Sequence, residues 1–580
     1  MDGSNHKDAR SYSFFLVFLC ISSFYLHPHY TGQHLFNPSN ALFWLISSFC
    51  IYKLFNLIIQ ENQIYISKEF MALFWLTVIF SLVTFFGINS YKDWALRFAT
   101  ILIILLLYLC LLQIKLCINK RYIFYGLSIL GLLHALGAII VASGLTYYTS
   151  DQTVYKGFFA QPNVLASFLA VSILISFYIL LRSDFRYDGL IFKQIPYISV
   201  FCCGFVLMGT GSRVGLLGLI LGLLALLLVQ HRRVCIRLKY ILLLACVLVL
   251  SVVSSSYYAS DPLEEMASKV ERMSSEHQGE ARVYIYKIGL EVIKESGLLG
   301  HGIGSFQSAF HAKAAEIQYE YGSIGLIGNS LYTHPHNELI YWGIETGYVG
   351  IAFLLLICVV LMKIVFNTGI KQGLTAIALL MPLILHTQLE LPFYHSAFHL
   401  FVLVLIVFAF TSVKSIYSYT FNSLLFSKLV KYVLFVFFIV VMLFTSSAFY
   451  FSYKLPRVNS QPPIDINWLY HIKIHPVFKD ITELSLYEVS GVSTIEGSSD
   501  LRNYYINWMK AHLEKTPNPI VFRELIKLYL INEDYSYLEK YLDKAIYYYP
   551  GNLFFLNLKN CLADEWLKNS DLDYLLKTCF

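Results

Sequence analysis

Charged side chains are scarce in this sequence of 580 residues. They make up 14% of the chain, whereas soluble globular proteins carry about 25%. The shortage is concentrated in residues 12–452, where long apolar runs predominate, and an ordinary mixed composition follows Lys454. We therefore predict an all-α polytopic membrane domain over residues 1–453 and a mainly helical soluble domain over residues 454–580.

The chain also lacks a concentrated basic surface for nucleic acid. Its formal net charge is +6, but the lysines and arginines stand in short clusters between apolar runs. That arrangement is typical of membrane topology. We expect membrane lipid, and no nucleic acid, among its partners.

Cysteine pairs with CxxC or metal-ligand spacing are absent. Nine of the eleven cysteines lie in or beside apolar runs, where they are expected as small lipid-compatible side chains, and Cys561 and Cys579 are the exceptions. The first apolar run, residues 12–27, lacks a convincing small-residue cleavage site, so we expect it to remain as a first span. We predict no metal site.

The apolar runs define the membrane domain. A spanning helix needs about 20 apolar residues. Thirteen segments qualify as candidate spans, with a large connection over residues 258–336 between the ninth and the tenth: 12–27, 40–60, 70–88, 94–115, 122–143, 162–181, 195–211, 213–230, 238–257, 337–362, 372–389, 396–413 and 430–452.

Basic residues orient these spans. Connections rich in lysine and arginine alternate with a second set, whose short connections hold little beyond Lys92, Lys156 and Arg213. The positive-inside rule places the basic set in the cytoplasm. It therefore predicts that the carboxyl-terminal domain lies outside, together with the remaining loops, which are 28–39, 144–161, 258–336 and 390–395.

The turn TGSR, residues 210–213, joins two predicted spans on the outer side. Arginine near hydrocarbon is costly unless it pairs, reaches the interface or serves function. One hypothesis is an anion clamp in which Gly209 and Gly211 let backbone amides approach a phosphate while Arg213 binds two of its oxygens. The alternative is an interfacial anchor.

The outer loop contains a segment of helical periodicity from Arg282 to Lys294. Its apolar residues Val283, Tyr286, Leu290 and Ile293 are predicted to share one face that rests on the membrane, which would direct Arg282 and Lys287 toward lipid headgroups. Solvated charges on an amphipathic helix are the alternative interpretation. The following stretch, GLLGHGIGSF, is predicted to be a turn, because it lacks the order of a dinucleotide-binding loop.

The stretch THPHNELIYWGIETG, residues 333–347, places two histidines at the start of an apolar run. Their spacing differs from the i, i+4 spacing of zinc-binding helices. Pro335 favours an extended approach and a helix that begins near Asn337. His336 is then a candidate general base on a hydroxyl. The alternative is that Asn337 caps the helix and His336 sits at the interface.

Together these pieces resemble the O-antigen ligase and polymerase superfamily, in particular the bacterial O-oligosaccharyltransferases that glycosylate pilins. In chain order, the matching pieces are GFFAQPNVLASFLA (157–170), TGSRVGLL (210–217), ARVYIYKIGLEVIKESGLLGHGIGSF (281–306), HPHNELIYWGIETGYVG (334–350) and LELPFYHSAFHLF (389–401). The resemblance implies transfer of an undecaprenyl-diphosphate-linked oligosaccharide to an acceptor, without metal or cofactor. It also implies a bacterial inner-membrane enzyme with a periplasmic active site.

The resemblance also implies roles for particular residues. His336 would be the base, with His334 and Asn337 beside it. The residues expected to contact the diphosphate or glycan are Arg213, Arg282, Lys287, Gln161, Asn163, Glu390, Tyr394 and His395. Tyr394 and His395 both remain candidates for the aromatic position after the Glu-x-Pro sequence.

The acceptor is left open by these patterns. The trailing domain favours a periplasmic, pilin-like protein acceptor over a sugar of the lipid A core. A permease or flippase is a further alternative, but transporters place ionisable residues near span midpoints, and here these residues cluster at outer ends. Pro517 and Pro550 are 33 residues apart, which is close to the tetratricopeptide period of about 34 residues. A helical hairpin that grips an acceptor and a simple structural cap are both compatible with that spacing.

Overall fold

The computed structural model describes residues 17–25, 38–114, 119–143, 155–159, 161–258, 279–322, 331–420, 424–460, 475–478, 482–484, 486–487 and 499–566. The helices and strands named below are, in chain order, α1 (Pro38–Glu61), β1 (Gln63–Ser67), α2 (Lys68–Phe85), α3 (Tyr91–Gln113), α4 (Lys120–Ala142), α5 (Pro162–Leu181), α6 (Leu190–Gly209), α7 (Arg213–Val229), α8 (His231–Ile236), α9 (Leu238–Tyr258), α10 (Gly279–Glu295), α11 (Phe306–Tyr321), α12 (Glu338–Phe366), α13 (Ile370–Leu389), α14 (Pro392–His395), α15 (Ala397–Phe410), β2 (Ile416–Thr420), α16 (Leu424–Ser460), α17 (Ser499–Lys515), α18 (Pro519–Ile531), α19 (Tyr535–Tyr548) and α20 (Leu553–Trp566).

The chain is an all-α polytopic membrane protein, as predicted. Within the described ranges, nine helices are long and apolar enough to cross a membrane, and α7 and α15 are shorter apolar helices. The count of thirteen spans remains a prediction, because much of the first candidate, residues 12–27, lies outside the described residues. Helix α16 continues to Ser460, past the predicted domain boundary at residue 453.

The chain divides into two compact units. The first unit contains residues 1–81, 95–269 and 353–457, and the second contains residues 82–94, 270–352 and 458–580. We call them the span unit and the outer unit. The predicted general base falls in the outer unit, and Arg213 falls in the span unit.

Helix α5 forms the centre of the span unit and is buried from Val164 to Leu181. Helix α7 packs closely against α13 because glycines line the contact. A Cβ on Gly218 would lie 2.6 Å from the Cα of Pro382, and one on Gly222 would lie 2.9 Å from the carbonyl oxygen of Ala378. Small residues at such positions let helix backbones approach in a membrane, where van der Waals contact drives association.

The connections rich in lysine and arginine meet at one end of the span unit. Arg121 pairs with Asp188 at 3.3 Å, and the Tyr125 hydroxyl donates to the same carboxylate at 2.7 Å. At the same end, the short strands β1 and β2 pair antiparallel, with Tyr65 opposite Ser418. This small sheet was not predicted, because QIYIS and IYSYT are brief and follow long apolar runs.

A separate apolar core in the outer unit joins α10, α11 and the start of α12. Its α10 residues are Ile285, Ile288, Val292 and Ile293. Of the residues predicted to rest on the membrane, Val283 and Leu290 are exposed and Ile293 is buried in this core, so the membrane contact stays a prediction for the exposed pair. The helix turns its buried stripe toward Phe306, Phe310, Ile340 and Ile344 because these long-range partners cover more apolar surface.

The carboxyl-terminal part of the outer unit is built from α17 to α20. Helices α18 and α19 form an antiparallel hairpin whose buried residues recur at the spacing Phe522, Leu525, Ile526, Tyr529, Leu538, Leu542, Ala545. Asn518 and Asp534 cap the two helices, and the Tyr549 hydroxyl donates to the carbonyl oxygen of Pro517. The hairpin lies between the two prolines that suggested a tetratricopeptide-like unit, and that assignment remains a prediction.

Candidate active site

The HPHN segment, residues 334–337, leads directly into α12. Asn337 is the N-cap of this helix, because its Oδ1 accepts a hydrogen bond from the Ile340 amide at 3.0 Å. An Asn cap satisfies one of the amides that a helix start leaves without a partner. The capping interpretation is thus correct for Asn337, which leaves the two histidines as the candidates for chemistry.

His336 has an unusual backbone. Its φ is +53°, in the left-handed region that few non-glycine residues adopt, although histidine is among those that tolerate it. Its carbonyl oxygen accepts a hydrogen bond from the Tyr286 hydroxyl at 3.2 Å. Strained backbone persists only where the surroundings over-determine it, and it clusters at functional sites.

The two histidine rings contact each other edge to face, with centroids 4.3 Å apart. His334 is 5% exposed, whereas His336 is half-buried. Of the two, His336 is therefore the more accessible. His334 packs behind it and limits its orientation.

Arg282 reaches this site through α10. It precedes Tyr286 by four residues, so the two side chains share one face of the helix. Arg282 is half-buried and Lys287 is exposed over the ring of Tyr284. Neither cation forms an ion pair within the described part of the chain, so both charges are available to an anion.

The Glu345-x-Gly347 sequence has an architectural role. The Oε1 atom of Glu345 accepts from the Gly304 amide at 3.1 Å. Gly347 has φ of +62°, and a Cβ there would lie 2.5 Å from the Gly300 nitrogen and from the Leu298 carbonyl oxygen. The pair joins the glycine-rich turn after α10 to the bend of α12. The turn itself was correctly predicted.

Arg213 is exposed at the first position of α7, and Ser212 caps that helix by accepting from the Gly215 amide. Two amides of the expected phosphate cradle already have partners. The Gly211 amide already donates to the Met208 carbonyl oxygen at 3.0 Å, and the Ser212 amide donates to the Thr210 hydroxyl at 3.2 Å. The Arg213 side chain therefore stays the predicted anion contact at this turn.

The remaining candidates of the span unit lie at helix starts and ends. Gln161 and Asn163 are half-buried at the start of α5. Glu390, Tyr394 and His395 are all buried, at exposures of 7%, 7% and 3%. Burial of this degree suits support of a site better than direct contact with a glycan.

A small cavity of about 20 Å³ lies beside His395 and is lined also by Ser23, Asn40, Phe159 and Ser396. That volume holds roughly one water. Asn40 accepts from the Ala397 amide at 2.9 Å. The cavity is too small for a sugar, so we assign it no substrate.

Three buried histidines of the span unit were not singled out from the sequence. His134 contacts the Ser23 hydroxyl at 2.8 Å, His386 contacts the Ser167 hydroxyl at 2.9 Å, and His399 lies 2.9 Å from the Val164 carbonyl oxygen. Their signal was visible as histidine within apolar runs. They join α4, α5, α13 and α15 near the end of the span unit opposite the basic connections.

Two family models match the chain. Residues 198–355 match the O-antigen ligase family. Residues 374–560 match the carboxyl-terminal region of the virulence factor membrane-bound polymerase family. These matches support membership of the O-antigen ligase and polymerase superfamily, whose members are membrane enzymes that transfer glycosyl groups. No individual curated protein matches the chain significantly.

The first match contains TGSR, Arg282 and the HPHN segment, and the second contains Glu390, Tyr394, His395 and most of the described carboxyl-terminal helices. The matched regions are thus similar to membrane glycosyl transferases of the ligase and polymerase type.

Proposed function

We propose that the protein is an O-linked oligosaccharyltransferase that moves a preassembled glycan from undecaprenyl diphosphate to a serine or threonine hydroxyl of a periplasmic, pilin-like protein. The observation that carries the proposal is the backbone of His336. It is held in the left-handed region, its carbonyl oxygen accepts a hydrogen bond from Tyr286 of α10, and the residue is only half-buried. A residue kept at this conformational cost suits a general base.

The transfer step assigns one role to each group. The acceptor hydroxyl oxygen attacks the anomeric carbon, and its proton passes to His336. The bond between that carbon and the diphosphate oxygen breaks, and the electron pair leaves with the lipid diphosphate. The leaving group gains negative charge, so preorganised cations lower the barrier.

Arginine supplies this positive charge in the proposal. Arg282, on the helix that holds His336, and Arg213, exposed at the start of α7, would each contact diphosphate oxygens. Guanidinium binds two such oxygens in parallel. Lys287 would add charge at the headgroup level, and Gln161 with Asn163 would line the glycan path. Glu390, Tyr394 and His395 would act by supporting neighbouring groups of the span unit, because all three are buried.

The proposed orientation puts the outer unit in the periplasm of a bacterial inner membrane. Cys561 is disulfide-bonded, and disulfides persist in oxidising compartments such as the periplasm. We expect a periplasm-active reporter fused after residue 460 to be active, because thirteen spans return the chain to the outer side. Activity of only a cytoplasmic reporter at that position would reverse the orientation of the whole site.

The activity is tested by intact-mass analysis of pilin-type proteins from cells with and without this protein, followed by transfer from purified lipid-linked glycan to a purified acceptor. We expect a glycan mass on the acceptor only when the enzyme is present. An unchanged acceptor mass together with longer lipid-linked glycans would instead identify a polymerase.

Transfer to another glycan is the second candidate. The observation that favours it is that the polymerase match extends to residue 560 and so includes helices of the outer unit. A carboxyl-terminal domain of this type is therefore not specific to enzymes that act on proteins. His386 and His399 lie near the ends of α13 and α15, whereas His134 lies about three residues past the midpoint of α4, so these histidines do not exclude a permease.

A further inference from the structure

Helix α11 carries a buried histidine that contacts the backbone ahead of the HPHN segment. His311 is 2% exposed. Its Nε2 atom lies 3.0 Å from the Tyr332 amide nitrogen and 3.2 Å from the Tyr332 carbonyl oxygen. The two rings also stack, with centroids 6.3 Å apart and planes inclined by 21°. One ring nitrogen thus lies within hydrogen-bond distance of both polar groups of the Tyr332 backbone and can bond to one of them at a time.

The presence or absence of a proton on Nε2 of His311 decides which of these contacts is a hydrogen bond. Burial lowers its pKa to about 4, although the contact with the Tyr332 backbone acts in the opposite direction. The ring is therefore neutral near pH 7. A neutral ring with an unprotonated Nε2 accepts the hydrogen bond from the Tyr332 amide.

Helix α11 also contacts the carboxyl-terminal helices. The His311 ring lies 6.1 Å from the ring of Tyr549, at the end of α19. One helical turn earlier, the Thr516 hydroxyl donates to the Oε1 atom of Gln307 at 2.7 Å. Because Gln307 and His311 are four residues apart, both contacts lie on one face of α11.

Two anchors therefore bracket the strained residue. Tyr332 is held by His311 four residues before His336, and Asn337 caps α12 one residue after it. A left-handed non-glycine residue costs about 1–3 kcal/mol and persists only while its surroundings impose it. Loss of either anchor would let the segment relax toward ordinary backbone angles.

We propose that His311 is a positioning residue that couples the carboxyl-terminal helices to the HPHN segment, so that seating of α17–α19 on α11 sets the orientation of His336. Its effect on transfer rests on the proposed role of His336. Its effect on backbone order does not, and this difference separates the two proposals experimentally.

The test compares three variants of the full-length protein in detergent. His311→Phe keeps a ring in the cavity but removes both backbone contacts. His311→Gln restores them, because its amide accepts at Oε1 and donates at Nε2. His301→Phe is the control, since His301 is an exposed histidine of the same unit. Hydrogen exchange of the Tyr332 amide and steady-state transfer are both measured.

We expect His311→Phe to accelerate exchange at Tyr332 about tenfold, which corresponds to one lost hydrogen bond. The kcat for transfer should fall by a similar factor while KM for the lipid donor stays within about twofold, because the binding groups are untouched. His311→Gln should recover most of both losses, and His301→Phe should match the wild type.

A second variant probes the other end of the coupling and guards against poor folding of His311→Phe. Thr516→Val removes the hydroxyl bonded to Gln307 and leaves the shape of the side chain. We expect it to speed exchange at Tyr332 by a smaller factor, about threefold. Unchanged exchange in both His311→Phe and Thr516→Val would overturn the coupling. Faster exchange in a protein whose wild type shows no transfer would refute the proposed function and leave the coupling intact.

Discussion

The TGSR turn and the HPHN segment both place polar residues at the start of a helix, but they are held in different ways. The polar contacts described at the TGSR turn are local, since Thr210, Gly211 and Ser212 bond to groups within a few residues. The HPHN segment depends on long-range partners, namely Tyr286 from α10 and, through Tyr332, His311 from α11. A local turn suits a contact that needs charge at a fixed depth. A segment held by several long-range contacts suits a general base whose ring must keep a fixed orientation toward its substrate.

The difference predicts how each site responds to substitution. A change at Arg213 should remove an interaction and leave the protein folded, whereas changes around His336 can act through chemistry or through backbone order. Substitutions at the two sites can separate these effects.

His336→Asn should reduce transfer by about 10²- to 10⁴-fold, the contribution of a positioned general base. Asparagine tolerates the left-handed backbone, so the amount of membrane-inserted protein should stay normal. Glycosylated acceptor per unit of inserted enzyme is the measurement. The His336→Ala protein should lose the same activity. Its free energy of unfolding should also fall by about 1 kcal/mol, because alanine is strained at φ of +53°.

His334→Ala serves as the comparison for this prediction. His334 is buried behind His336, so its removal should lower protein level more and turnover per molecule less. Near-normal turnover by the His336→Asn protein would remove the base assignment and leave His334 as the next residue to test.

Gly347→Ala should destabilise the outer unit by about 3 kcal/mol or more. The new methyl group would meet backbone atoms at 2.5 Å, and backbone cannot yield as a flexible side chain does. Gly322→Ala is the matched control, because its φ is +84° but a Cβ there meets nothing within 4 Å. Thermal unfolding in detergent reports both. Equal shifts in the two variants would show that conformation alone, and not the join between α12 and the glycine-rich turn, makes Gly347 necessary.

Only the parts of the fold that depend on near neighbours in the sequence could be predicted from it. Helix periodicity and apolar length place α5 at its observed limits, Pro162–Leu181, and residues 210–212 as a tight turn, because both depend on near neighbours. The buried face of α10 could not be found in this way. Its apolar residues occupy two stripes, and the choice between them belongs to Phe306 and Ile340, which are distant in sequence.

The same distinction between local and long-range contacts applies to the candidate site. His336 and Arg282 were recognisable by residue type and by resemblance, whereas the partners that orient them were not. Nothing near His311 in the sequence distinguishes it from an ordinary histidine of an amphipathic helix. Its importance follows from the folding of residue 332 against it.

Arg213→Lys should lower transfer by about 10- to 100-fold while the protein inserts normally. Lysine keeps the charge but loses the two parallel hydrogen bonds of guanidinium, and one hydrogen bond to a charged group contributes about 1.5–3 kcal/mol. Arg232→Lys is the control, because Arg232 is an exposed arginine of α8, which follows the opposite end of α7. Full activity of both Arg213→Lys and Arg213→Ala at normal protein level would show that Arg213 is an interfacial anchor. The TGSR turn would then have no part in transfer.

The smallest predicted effect is the pH dependence that His311 gives to stability. Its pKa is about 4 in the folded protein and about 6.5 when unfolded. Between these values the unfolded chain binds more protons, so the free energy of unfolding falls as pH falls. From pH 7.5 to 5.5 this group should account for about 1 kcal/mol of lost stability. Lys313 on the same helix, whose pKa is raised by hydrogen bonds to Glu295 and Glu316, keeps its charge throughout this window.

Comparing thermal unfolding of the wild type with His311→Gln at both pH values cancels the other titrating groups. The wild type should lose about 1 kcal/mol more than the variant, and equal losses would mean that His311 is charged or solvated in the folded protein and does not hold Tyr332 as a neutral acceptor.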